Sequence, residues 1–327
     1  RLLMLKGQTA SKLKENQKGA AFFLEAETAV PYTQDAMQAS FYRLLCYKEL
    51  KQKDLPQRAQ SFLNHYAKAF PTSELHDMVR LMAAESLFSS SPADAAKFYG
   101  SINFDKLPAK MRPDILYKSA WAVAQAGDRE TAAKLLTTFI DGYPRDPRIC
   151  EALTLRGDMY AKTKKETEAL QDFDRVIARW PKEESAAAAW QRAAQIYAGR
   201  QDLANMAKYY EGLIKNFPKS SPAALAEAHF LLGRAAFDQG DFQSSISHMS
   251  EAKTLDPQKY GEQVNVLTVL SYHKLQDVNK LKEALETLQK ENPAAVSRVP
   301  DVIPAWLGLQ AYGMKDLETT DKYMTWD

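Results

Sequence analysis

Five histidines, two cysteines and the carboxylates are the side chains that could hold a metal, attack a carbonyl or move a proton. His65, His76, His229, His248 and His273 are scattered along the chain. No two share the i, i+4 spacing that sets two imidazoles on one helix face to hold a metal. His229 stands where comparable stretches carry Trp or Leu, so a packed core histidine is expected there. Cys46 and Cys150 both sit among apolar residues (RLLCYKEL, PRICEALTL). They lie too far apart in the scheme below for the ~7 Å Cα limit of a disulfide. Both are expected as buried, free thiols. Paired carboxylates such as Glu183-Glu184 fall near helix starts, where they complement the macrodipole; a catalytic pair would need two environments that split its pKa values. The phosphate loop GxxxxGK[ST] and the motifs GxGxxG, HExxH and GxSxG are all absent. The expectation is a chain segment with no catalytic residues, no metal and no cofactor.

What would position side chains in this chain is a repeat. Pro71, Pro108, Pro144, Pro181, Pro218, Pro257 and Pro293 are spaced by 37, 36, 37, 37, 39 and 36 residues. A second column, Tyr47, Ala84, Ala120, Gly157, Ala194, Gly233 and Val269, steps by the same intervals. Its five central members are Ala or Gly, as two helices need where they approach closely. Ala59, Ala96, Ala132 and Ala169 form a third column in register. Columns at such a period mark an array of one supersecondary unit. Within 145–181, Ala169, Phe173, Val176, Ile177 and Trp180 follow i, i+4, i+7, i+8, i+11, one apolar helix face. Each unit reads as two helices. Proline, which lacks an N–H and biases its predecessor out of the α region, closes the second. Gly127-Asp128 and Gly240-Asp241 mark turns inside units, and Ser221-Pro222 an N-cap with proline at the first helical position.

The units span 1–31 (imperfect), 32–71, 72–108, 109–144, 145–181, 182–218, 219–257, 258–293 and 294–327 (incomplete). Together they form one array. The unit 72–108 is the weakest, with an irregular turn at Ser89-Ser90-Ser91-Pro92 and Gly100 inside its second helix. The two extra residues of the 39-residue interval are expected in the loop before the helix of Gly233. The chain starts without Met and stops before a closing proline, so the natural protein is expected to continue. Glycine is scarce (13 of 327 residues), and no β-branched run alternates for long. The fold class is therefore all-α. Lys+Arg 43 against Asp+Glu 41 leaves a net charge of +2, without the basic stripe of a nucleic-acid binder. Arg43, Lys48, Lys51, Lys53 and Arg58 read as a solvated face. Apolar runs are too short to span a membrane.

With Leu153, Gly157, Tyr160, Ala169, Phe173, Val176 and Pro181 at its spacing, the chain resembles the tetratricopeptide repeat family. Trp190, Ala194, Tyr197, Tyr210, Leu213 and Pro218 repeat the pattern in the next unit. The match is specific over about 109–257 and looser outside. The family's usual period is near 34 residues. Units of 36–37 closing in aromatic-Pro followed by Ser, Thr or Asp are similar to a subtype of bacterial cell-envelope proteins. That likeness implies the periplasm or envelope; the cytoplasm is the alternative.

The resemblance implies a right-handed superhelical solenoid of antiparallel helix hairpins, with the first helix of each hairpin lining a concave groove. It implies a non-enzymatic scaffold that binds a peptide or helical segment of a partner protein. Groove positions carried over by register are Tyr117, Trp121, Thr154, Asp158, Gln191, Gln195, Phe230, Arg234 and Phe237. Packing within the array is the competing expectation for each aromatic. The column Lys48, Glu85, Trp121, Asp158, Gln195, Arg234 and Leu270 lacks the Asn of the family's clamp for chaperone tails, so that mode is not expected. The alternative reading is a helical arm of a larger enzyme, similar to a lytic transglycosylase, with its catalytic domain outside this segment.

Overall fold

The computed structural model describes residues 1–325; the last two residues of the stretch 294–327 lie outside them. Among the described residues there are eighteen α-helices, two short 3-10 segments and no strand. The helices pair as consecutive hairpins: α1 (Leu2–Lys12) with α2 (Asn16–Ala29), α3 (Gln34–Glu49) with α4 (Leu55–Tyr66), α5 (Leu75–Leu87) with α6 (Pro92–Tyr99), and α7 (Arg112–Gln125) with α8 (Arg129–Gly142). Then follow α9 (Ile149–Lys162) and α10 (Glu166–Arg179), α11 (Glu184–Gly199) and α12 (Leu203–Asn216), and α13 (Pro222–Asp238) and α14 (Phe242–Leu255). The last two hairpins are α15 (Pro257–Leu275) with α16 (Val278–Glu291), and α17 (Val302–Gly313) with α18 (Leu317–Met324). This is an α solenoid, whose stability comes from each hairpin packing on its neighbours. It divides into two compact units, Arg1–Asp172 and Phe173–Asp327.

Local chemistry explains the hairpins. Eight of the nine turns between first and second helix place one residue in the left-handed region: Lys14, Lys51, Gly127, Lys164, Gln201, Gly240, Gln276 and Lys315. Only Gly127 and Gly240 enter it without a Cβ clash. Next to this residue, Asp128, Asp202, Asp241, Asp277 and Asp316 each accept a backbone N–H three residues on, satisfying a donor that the helix start would otherwise strand. The small column sits at the helix–helix contact: Ala84, Ala120 and Ala194 have no exposed surface. A Cβ at Gly233 would stand 3.1 Å from both His248 Cβ and the Ser245 carbonyl oxygen of α14.

Three details depart from the repeat as read in the sequence. The hairpin α5–α6 is the one without a left-handed turn residue. Its second helix has eight residues and stops with Gly100 as C-cap, and Ile102 and Leu107 on the following chain fill the core beside Ile115. There the buried alanine is Ala95, with Ala96 only half-buried, so the third column slips by one. Pro144, Pro181 and Pro218 each follow a helix end by two residues, but Pro257 and Pro293 open α15 and the 3-10 segment Pro293–Arg298. Proline suits both places because its missing N–H is dispensable at a first turn. The two extra residues are shared, one lengthening the loop after Pro218 and one the start of α13.

Candidate partner-binding surface

In the unit Arg1–Asp172, the first helices α3, α5 and α7 and the residues leading into α9 carry a ladder of ion pairs. Lys48 meets Glu85 at 3.3 Å, and Glu85 meets Lys118 at 3.4 Å. Lys118 pairs with Asp114 at 2.7 Å, and Asp114 with Arg148 at 2.9 Å. Arg148 closes the ladder on Asp146, whose carboxyl it holds below the usual range. Tyr117 is built into this system. Its hydroxyl donates to Glu151 Oε2 at 2.9 Å. The Arg148 guanidinium lies 5.0 Å from its ring, and Phe139 packs at 5.4 Å. Burial, then the bond to Glu151, pushes its phenol above the ordinary range. Trp121 is half-buried, its ring 4.8 Å from Phe88 of the preceding hairpin. Thr154 bonds back to the Cys150 carbonyl at 3.0 Å, and Asp158 is half-buried one turn further along α9.

In the unit Phe173–Asp327, Gln191 and Gln195 of α11 converge on one carboxylate. Gln191 Nε2 donates to Glu227 Oε2 at 2.7 Å and Gln195 Nε2 to Oε1 at 2.9 Å. Tyr210, with no exposed surface, donates to the same oxygen at 3.3 Å. Burial first, then the Glu227 charge, drives its phenol pKa up. Phe230 is stacked on Tyr260 at 4.7 Å, within a cluster of Ala226, Met249 and Val264. Arg234 is exposed, and half-buried Phe237 meets Phe242 edge-on at 5.4 Å.

The nine positions thus differ in what they can offer a partner. Tyr117, Gln191, Gln195 and Phe230 spend their polar atoms or ring faces inside the array. Trp121 and Phe237 are half-buried and Arg234 is exposed. The basic residues of 43–58 are largely engaged: Arg43 with Glu27 at 2.9 Å, Lys48 with Glu85, and Arg58 with Asp54 at 2.8 Å and over the Tyr47 ring.

Two polar pairs escape sequence reading. Arg156 of α9 makes a bidentate bond to Asp172 of α10, 2.8 and 2.7 Å, and donates to Thr137 of α8 at 3.0 Å. His229 and His248 bring their Nδ1 atoms to 3.0 Å across the α13–α14 contact. Burial holds both imidazoles below their ordinary pKa, and each His229 protonation is further opposed by His248. Nineteen residues separate them, so no single-helix spacing could reveal the pair. Among the described residues no group of three or more His, Cys, Asp or Glu is placed to hold a metal ion, both cysteines are buried and outside any disulfide, and no helix is long and apolar enough to cross a membrane.

Residues 117–184, 188–220 and 226–259 each match a tetratricopeptide repeat profile. Among solved structures, the C-terminal part of a TPR repeat-containing protein from Cytophaga hutchinsonii superposes with a TM-score of 0.53 at 16% identity, covering 77% of this chain and 95% of that one. The apo form of RapI gives 0.54 at 11% identity, covering 98% and 94%. At these identities the likeness is one of fold. No curated protein sequence gives a significant match. With its hairpin array, its columns of small residues and three matching segments, the chain is a tetratricopeptide repeat protein.

Proposed function

We propose that this chain is a non-enzymatic scaffold that holds an extended or helical segment of a partner protein on the first helices of its hairpins. The observation that carries the reading is the set of side chains that keep surface on first helices: half-buried Trp121 on α7, and exposed Arg234 and half-buried Phe237 on α13. Aromatic and Arg residues of this kind are the favoured anchors of protein interfaces. The unit length and the aromatic-Pro closures support work in bacterial cell-envelope assembly. A partner captured by the wild-type chain should be lost from the double variant Trp121→Ala plus Phe237→Ala. Undiminished recovery by a variant with an unchanged circular dichroism melt would remove these helices from the interface.

A further inference from the structure

A cavity of about 660 Å³ is bounded by the end of α3, the turn and first residues of α4, and the C-terminal half of α5 with the turn that follows it. That size suits a small ligand. Its wall carries three cations, Lys48, Lys51 and Lys53, against one carboxylate, Glu85. Glu85 is already shared between Lys48 and Lys118. Among the described residues Lys51 and Lys53 have no ion-pair partner. Lys51 is held at φ 52° in the left-handed turn, and its amide is tied to the Lys48 carbonyl oxygen at 2.9 Å. The turn thereby brings the three lysines to one rim. Leu55 and Pro56 put the first turn of α4 in the wall, where the positive end of the helix dipole adds to the lysine field. The nearby Asp54 carboxylate is occupied by Arg58.

The interior differs from the rim. Leu55, Pro56 and Met82 are buried apolar residues, and Leu87 continues the same wall. Gln52 also lines the cavity, and its Oε1 is buried and accepts no hydrogen bond. A buried acceptor without a donor is costly, and a ligand N–H or O–H would relieve it. The lining thus combines positive charge, an unsatisfied acceptor and apolar surface. We propose that this cavity binds a small amphipathic anion: an acid group among Lys48, Lys51 and Lys53, an N–H donating to Gln52 Oε1, and an apolar chain over Leu55, Met82 and Leu87. The site is independent of the partner-binding residues named above, since Trp121, Arg234 and Phe237 take no part in it.

N-Decanoylglycine carries these three features and is the probe for titration calorimetry on the full chain. Saturable one-to-one binding is expected. It should weaken about tenfold in Lys51→Glu plus Lys53→Glu, two exposed positions where folding is undisturbed. The ester isostere O-decanoylglycolate, which has no N–H, should bind roughly fivefold more weakly to wild type and about equally to Gln52→Leu. Met82→Trp, which fills the floor, should abolish binding while the ion pair Lys48–Glu85 stays intact. Equal binding of decyltrimethylammonium, or an affinity unchanged by the lysine reversals, would overturn the site. So would binding to phosphatidylglycerol vesicles with none to monomeric N-decanoylglycine, which would assign the lysines to a membrane surface.

Discussion

Asp172 and Arg156 lock α9 to α10 with both carboxylate oxygens engaged, and their side chains are only 7% and 14% exposed. Removing one partner strands the other's charge, which costs far more than the pair itself contributes. Asp172→Ala should therefore destabilise the chain by about 3 kcal/mol in urea unfolding, and Asp172→Leu with Arg156→Leu should recover much of that loss. A single variant as stable as wild type would show the guanidinium hydrated and the lock unimportant. Glu227 is the corresponding centre among the later hairpins: Glu227→Ala leaves buried Tyr210 without its acceptor and should cost about 1–3 kcal/mol. Neither cluster is legible in the sequence. The partners of Arg156, Asp172 and Glu227 come from other helices, and hydrophobic periodicity records only the apolar face. The family register, which placed Gln191, Gln195 and Tyr117 in the groove with packing as the competing reading for the tyrosine, likewise carries no sign of their bonds to Glu227 and Glu151.

At the level of the hairpin, the sequence columns correspond to two physical requirements. The small column marks where backbones touch, and Gly233→Leu should overpack the contact with Ser245 and His248 by about 1–3 kcal/mol. A melting curve superimposable on wild type would mean that α13 and α14 can separate at no cost. The turn column is harder to see, because Lys, Gln and Gly share no chemistry beyond what the left-handed backbone tolerates. Lys164 sits at φ 61°, a conformation costing a Cβ-bearing residue about 1–2 kcal/mol, against about 0.5–1 kcal/mol of chain entropy lost by glycine. Lys164→Gly should thus stabilise by about 0.5 kcal/mol, read as a rise in the urea midpoint at constant slope; a fall would show that the turn is held by its side chain. The unit 72–108 was legible as irregular from its serines and Gly100. The sequence could not show that Ile102 and Leu107 replace the missing helical turns, since two isolated apolar residues carry no period.

Across the whole molecule, titration separates the two compact units. His229, His248 and His273 lie in Phe173–Asp327, and His76 in Arg1–Asp172. Burial lowers the pKa of all four from the ordinary 6.5. Folded chains then bind protons less readily than unfolded ones, so stability is unaffected well above pH 6.5 and falls as the pH drops through that value. The capping carboxylates act lower. Hydrogen bonds from the following turn depress Asp128, Asp202, Asp241 and Asp316 below their ordinary 3.8, a contribution present above that pH and lost on further acidification. Three of these four depressed histidines lie in Phe173–Asp327, so the loss of stability between pH 7.5 and 5 falls more heavily there. Around the 3.0 Å pair, the charges of Glu211 on α12 and of Asp241 and Glu251 at α14 favour protonation. They soften the loss, but a second proton still places two Nδ1–H groups face to face. Amide hydrogen exchange should therefore show protection in α13 and α14 falling before that in α7 and α8 as the pH is lowered from 7.5 to 5. His229→Asn with His248→Asn should narrow the gap. Equal loss in both units of the wild-type chain would mean that the imidazole pair does not govern the acid limb of stability.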